Sequence, residues 1–254
     1  EATNTKGGCE WWTWREWATG EVGAFYGGEL GLLAYSHLVG MLILVFARSA
    51  LRDRIAGVRT TAIGLGVGGY GGNKGAVSVR FDVGSISFCF VNAHLASGQE
   101  HYIERCQHFQ MIMKRIEFPK DDEGDDEEPP VEHAHSTPGA AAPGAPAEPD
   151  RTASFAERHE AQQSRIEDHD HIFWLGDTNS RLHWPRRLGG MPIQDAMQRV
   201  REHRLGELLA LDQLSLMRRD GLAFQGFEEH PVRFLPSYKW RRGADALDMR
   251  SQKH

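Results

Sequence analysis

Residues 171–182 read HIFWLGDTNSRL. An apolar run, Ile172-Phe173-Trp174-Leu175, stops at a glycine; an aspartate and an asparagine follow, two positions apart. The run reads as a buried strand, and Gly176-Asp177-Thr178-Asn179 as the chain leaving it. In extended backbone, residues two apart point the same way. Asp177 and Asn179 can therefore face one pocket. An ionised Asp177 can take a proton from water. The Asn179 amide can donate to an oxygen that gains negative charge. The same letters also make a plain turn, so the pair gains meaning only from partners elsewhere.

Three other stretches supply candidates. FVNAHLASG, residues 90–98, ends a second apolar strand on His94, which can donate to a phosphate or pair with a carboxylate, or simply cap or fill a core. Asn92 shares the His94 face, as a second pocket group or as an ordinary strand residue. GGYGGNKG, residues 68–75, offers flexible backbone ending in Asn73 and Lys74. Exposed N–H groups and an ammonium suit phosphate, although the order is not that of a P-loop. PSYKW, residues 236–240, sets Tyr238 beside Lys239, which suits a phosphorylated ring or an edge strand. Arg80, Arg181, Arg241 and Arg242 add cations that are individually unspecific.

Around these stretches the periodicity predicts a mixed α/β protein. Leu38–Ala47 reads as one buried strand and Val58–Val67 as a weaker one. AVSVRFDV and ISFCFVNAHL, joined at Gly84-Ser85, read as a hairpin. Ser97 and Glu100 have capping-box spacing before a helix carrying Tyr102, Ile103, Cys106, Phe109, Met113 and Ile116. Residues 119–152 hold DDEGDDEE, a Pro/Ala/Gly tract and seven of the eleven prolines, which predicts a disordered loop. A helical stretch precedes the 171–182 strand, and one or two helices follow Pro192. The start of the chain, with Trp11, Trp12, Trp14 and Trp17, has no clear period and is expected to be irregular.

The net charge of -6 is local in origin. Residues 119–150 contain ten acids and one lysine, so the remainder has 28 basic and 25 acidic residues, a charge of +3. That suits an anionic substrate and is low for a nucleic-acid groove. Cys9, Cys89 and Cys106 lack CxxC spacing, so neither a disulfide framework nor a zinc site is expected. A reducing, cytoplasmic setting is the simplest expectation, with no signal peptide expected. HLVGMLILVFARS is shorter than the roughly 20 residues of a membrane span. Membrane contact is expected to be peripheral at most.

GNKGAVSVRF, FVNAHLASG, HDHIFWLGDTNSRL and PSYKW, in that order, resemble the inositol polyphosphate 5-phosphatases of the endonuclease/exonuclease/phosphatase superfamily. LVGMLILVFARSAL, upstream, fits as well. The resemblance covers roughly residues 30–240, with 1–29 and 241–254 as irregular ends and 119–152 as an insertion. It implies a deoxyribonuclease-like four-layer sandwich: two packed mixed sheets flanked by helices. It implies magnesium-assisted attack of water on the 5-phosphate of a phosphoinositide headgroup or soluble inositol phosphate. Within that resemblance Asp177 is the base or orienting group, and Asn179 and His94 contact phosphate. Asn92 supports the site; Asn73, Lys74, Arg181, Tyr238 and Lys239 bind substrate.

The pattern departs from the family at Ser180, where GDxNYR has tyrosine. No QE motif, the source of the metal-binding glutamate, precedes Leu30. The ending RRGADALDMRSQKH reproduces neither PAWCDR nor SDH, and Asp248 and His254 do not replace them. Both ends of the domain are therefore expected to be missing and the chain to have little activity. A nuclease of the same superfamily and a catalytically dead headgroup-binding module are the alternatives.

Overall fold

The computed structural model describes residues 11–66, 72–119, 165–183, 193–236, 241 and 243–244. The acidic insertion and the Tyr238-Lys239 pair lie outside the described residues.

Two sheets stack on one another. The larger holds β3 (Ile55–Gly64), β4 (Gly75–Val83), β5 (Ile86–His94) and β6 (His171–Asp177) in that spatial order. Its first two pairings are antiparallel, and β5 runs parallel to β6. The smaller sheet is the hairpin of β1 (Leu30–Leu38) and β2 (Met41–Arg48). It is antiparallel, not mixed as expected. The apolar run at Leu38–Ala47 is thus not one strand. It spans a hairpin turn at Val39-Gly40, with Val39 at φ 49. No polar residue punctuates that turn, so the composition conceals it.

Alternation along β5 assigns its two faces. Cys89, Val91, Ala93 and Leu95 face a core built with Phe109, Ile112 and Ile116 of α2 (Tyr102–Arg115) and its C-terminal extension. Phe88 and Phe90 face the opposite way, joining Val77, Val79 and Phe81 against Met41 and Ile43 of the hairpin. Val77, Val79 and Val91 are fully buried. Burying each such side chain contributes roughly 1.5–3 kcal/mol. Phe81 and Phe90 stack at 5.7 Å, and Phe90 and Phe173 at 4.8 Å, so an aromatic row crosses three strands.

β6 departs from the buried strand that its letters suggest. Ile172 and Trp174 pack on the α2 side, but Phe173 and Leu175 are 47% and 43% exposed. Among the described residues β6 is the outer strand, with β5 as its neighbour. The tryptophan-rich start is a helix, α1 (Trp11–Phe25), where irregular chain was expected. It buries no residue and is held laterally: Trp11 stacks on His37 at 3.9 Å, and Arg15 lies over Trp11 and Tyr35. Its attachment is aromatic rather than an apolar stripe, which is why no helical period showed. From one face to the other, α1, the hairpin, the large sheet and α2 form the four layers.

Ser97 and Glu100 do not cap α2, which starts at Tyr102 after His101 with no side-chain cap bond. Downstream, the described residues hold three helices where one or two were expected: α3 (Ile193–Arg201), α4 (Leu205–Leu209) and α5 (Gln213–Arg219). Asp212 caps α5 by accepting from the Ser215 N–H at 2.9 Å.

Candidate active site

Register decides where the polar residues meet. Gly75 of β4 pairs with His94 of β5, and His94 pairs with Asp177 of β6. Lys74, His94 and Asp177 therefore stand in one row across three strands. Two of those strands end at this row, and carboxyl ends of parallel strands are where open α/β sheets bind ligands. Two glycines make the row close. At Gly75 (φ 145) a Cβ would sit 1.9 Å from the Ile63 carbonyl oxygen. At Gly176 (φ 114) it would sit 2.1 Å from the Ala93 oxygen and 2.5 Å from Asn92 Oδ1.

Lys74 Nζ lies 2.6 Å from His94 Nε2, and His94 Nε2 lies 3.6 Å from Asp177 Oδ2. An ammonium only donates, so Nε2 accepts and the neutral imidazole carries its proton on Nδ1. Burial pushes the His94 pKa down; Lys74 lowers it further and Asp177 opposes both. Burial also lowers the Lys74 pKa, again opposed by Asp177. The Asp177 side chain is 65% exposed and open to water.

His94, Asp177, Asn92 and Ala93 line a hollow of about 530 Å3 whose other wall is Trp11, Trp14, Val39, Gly40, Met41 and Leu42. Asn92 also braces it, donating from Nδ2 to the Leu42 carbonyl at 3.0 Å and so tying the two sheets together.

Asn179 holds a different position. It has φ 51, its N–H donates to Asp177 Oδ1 at 2.9 Å, and its Nδ2 donates to the Leu95 carbonyl at 3.0 Å. It locks the two strand-end loops together, with one Nδ2 hydrogen left over. Arg181 reaches back to Asn179 Oδ1 at 3.3 Å. Asn73 is exposed in the turn before Lys74. The structure thus gathers Asn73, Lys74, Asn92, His94, Asp177, Asn179 and Arg181 at one end of the sheet. Tyr238 and Lys239 lie outside the described residues. At position 180, serine leaves a buried hydroxyl with no hydrogen-bond partner among the described residues.

Sequence reasoning missed two residues behind the site, Arg105 and Gln213, which are 0% and 1% exposed. The signal was present. Tyr102, Arg105, Phe109, Ile112 and Ile116 follow a 3-4-3-4 spacing, so Arg105 occupies the apolar stripe of α2. Gln213 stands four residues before the buried Met217. A polar residue on an apolar stripe marks a buried hydrogen-bonding role.

The chain is 29% identical over 224 residues to the type I inositol polyphosphate 5-phosphatase 8 of Arabidopsis thaliana, covering 87% of this chain and 38% of that protein. It is 29% identical over 214 residues to the type II inositol 1,4,5-trisphosphate 5-phosphatase of Mus musculus, covering 84% of this chain and 17% of that protein. It therefore spans well under half the length of either curated relative. Among solved structures it is similar to the inositol polyphosphate 5-phosphatase domain of a synaptojanin, in complex with inositol (1,4)-bisphosphate and calcium ion. That match has a TM-score of 0.68 and 24% identity, covers 95% of this chain and 56% of that one, and shows the fold. The Endonuclease/Exonuclease/phosphatase family 2 model matches residues 13–254, and the chain belongs to that family.

Proposed function

We propose that the chain hydrolyses the 5-phosphate of phosphoinositides or soluble inositol polyphosphates by attack of water on phosphorus. The observation that carries this reading is the row of Lys74, His94 and Asp177 at the sheet's end. Phosphoryl transfer needs positioning and charge neutralisation above all. Lys74 and His94 meet the phosphate oxygens, and the added negative charge favours protonation of His94. Asn179 Nδ2 keeps one hydrogen beyond its bond to Leu95, and this reading assigns that hydrogen to a phosphate oxygen. Asp177, open to water, takes the proton of the attacking water. The water–phosphorus bond forms, the ring oxygen–phosphorus bond breaks, and the ring oxygen takes up a proton as it leaves. Tyr238 and Lys239 belong to the same proposal as grips for a second ring phosphate.

Magnesium is part of the expectation from resemblance. Asp177 is the one carboxylate among the described residues lining the hollow, and no group of three His, Cys, Asp or Glu among them could hold a metal ion. Magnesium is usually held by one or two carboxylates plus substrate phosphates, in near-octahedral oxygen geometry. An ammonium beside a lone carboxylate opposes a resident cation. The described donors do not fit a resident metal by themselves, and no step above runs through one.

Peripheral contact with a bilayer belongs to the same reading. Trp14 and Val39, 45% and 71% exposed, rim the hollow, and indole rings favour the membrane interface. The lone carboxylate favours a second reading, headgroup binding without turnover.

Phosphate release should be measured from inositol 1,4,5-trisphosphate and from phosphoinositide vesicles, with and without magnesium, beside a plasmid-nicking assay. Release by the wild type that Asp177→Asn abolishes supports the phosphatase. Binding without release, lost in Lys74→Ala or Lys239→Ala, selects the binding module. Nicking without release selects a nuclease.

A further inference from the structure

Burying a guanidinium is costly unless its geometry is well satisfied. Arg105 is fully buried, burial pushes its pKa down, and the nearby Arg181 lowers it further. Its NH1 and NH2 bonds go to two loop carbonyls and to Gln213, while its Nε has no hydrogen-bond partner among the described residues. NH1 donates to the Ala96 carbonyl at 2.9 Å and the Gly98 carbonyl at 2.7 Å, and NH2 donates to Gln213 Oε1. Gln213 extends the bridge. Its Oε1 also accepts from the Arg181 N–H at 3.1 Å, and its Nε2 donates to the Gln99 carbonyl at 3.2 Å. Its backbone N–H donates to the Arg181 carbonyl at 2.9 Å. One buried pair, from α2 and α5, therefore holds both the loop after His94 and the loop after Asp177.

We propose that Arg105 and Gln213 are positioning residues: a buried clamp that fixes residues 95–99 against 179–182 and so sets Asn179 and His94 toward a common phosphate. Neither side chain lines the hollow, so they act through Asn179 and the loop backbones. A purely apolar pair of the same volume would fill the space but leave the Ala96, Gly98 and Gln99 carbonyls without these donors. Gly98, whose carbonyl Arg105 holds, takes φ 110.

The proposal rests on the phosphatase reading for its chemical meaning, but its test does not use turnover. In the full chain, NMR follows the Asn179 side-chain amide and the His94 ring. The intact clamp holds the Asn179 Nδ2–Leu95 bond, so that amide exchanges slowly. In Arg105→Met it loses its protection, and the His94 ring signal shifts or broadens. Ile112→Val, on the same helix and equally buried, removes one carbon and none of the clamp's hydrogen bonds, and it leaves both signals in place. If Arg105→Met does not fold, Arg105→Lys and Gln213→Leu carry the same readout. A folded clamp variant with Asn179 still protected and His94 unmoved overturns the clamp. So does an equal disturbance by Ile112→Val, which would make it general destabilisation. Absence of phosphate release from the wild type overturns the phosphatase reading and leaves these signals interpretable.

Discussion

β5 and β6 look alike as letters: each is an apolar run that ends in a polar pair two residues apart. In the fold they differ. β5 has β4 on one side, β6 on the other and cores on both faces. β6 has one neighbour among the described residues and a half-exposed outer face at Phe173 and Leu175. Apolar composition says that a segment is a strand; its neighbours decide whether it is buried. The difference carries into the site. His94, at the end of the enclosed strand, has a lowered pKa through burial, whereas Asp177, at the end of the outer strand, meets water. Under the proposed function, that difference leaves His94 for phosphate contact and Asp177 for accepting a proton.

The largest expected effect is chemical. Asp177→Asn should lower phosphate release by about 10²–10⁴-fold, the usual span for loss of a general base. A steady-state comparison with wild type would check it, with equal melting temperatures as the control. Gly176→Ala comes next. The β5–β6 pairing leaves no room for a Cβ, so stability should fall by roughly 3 kcal/mol or more in denaturant unfolding, at the upper end for single substitutions. Gly20→Ala in α1 meets nothing within 4 Å and should gain up to about 1 kcal/mol. A similar loss at both would mean that the close approach of the strands is not the cause.

The strand comparison itself is tested by a smaller pair. Val91→Ala in β5 should cost about 2 kcal/mol, as for a buried aliphatic truncation. Leu175→Ala in β6 should stay within about 0.5–1 kcal/mol. Equal losses would mean that something covers the outer face of β6 as fully as β5 is covered.

Acid lability is the gentlest expectation. His94, His108 and His169 all have pKa values lowered from the ordinary 6.5, chiefly by burial. At His169 Arg80 adds to burial: Nε2 accepts from the buried Arg80 Nε at 3.1 Å, so a proton there would face a cation. Lowered folded-state values favour the neutral form. This contribution is present above about pH 6.5 and lost as pH falls through the folded-state values. Thermal unfolding between pH 7.5 and 5.5 should show the decline, and His169→Gln should reduce its slope. A melting temperature that rises over that range would refute it.

The sequence made the enclosed part of the molecule legible. The β4–β5 hairpin, α2 and the 171–177 strand follow their periodicity, and the polar ends of β5 and β6 pointed to one site. The misses share a cause. The Val39-Gly40 turn sits within continuous apolar sequence, so no polar residue marks it. α1 attaches through the faces of Trp11 and Arg15 instead of an apolar stripe. Ser97 and Glu100 have capping-box spacing, but the loop is committed to Arg105 through Ala96 and Gly98. The spacing marks Asn179 as a donor to an oxygen that gains negative charge or as part of a turn, yet one of its two amide hydrogens is already used on the distant Leu95 carbonyl. Local spacing does not report a long-range bond.

The central claim is that Lys74, His94 and Asp177 enclose the place of a single phosphate group. NMR titration of the His94 ring against pH, with and without inorganic phosphate, tests it most directly. The account predicts a saturable rise in the His94 pKa on adding phosphate, a rise in the free chain on Lys74→Met, which removes a cation, and a fall on Asp177→Asn, which removes an anion. A folded chain in which phosphate leaves His94 unmoved, or in which the two substitutions shift it the opposite way, would contradict it.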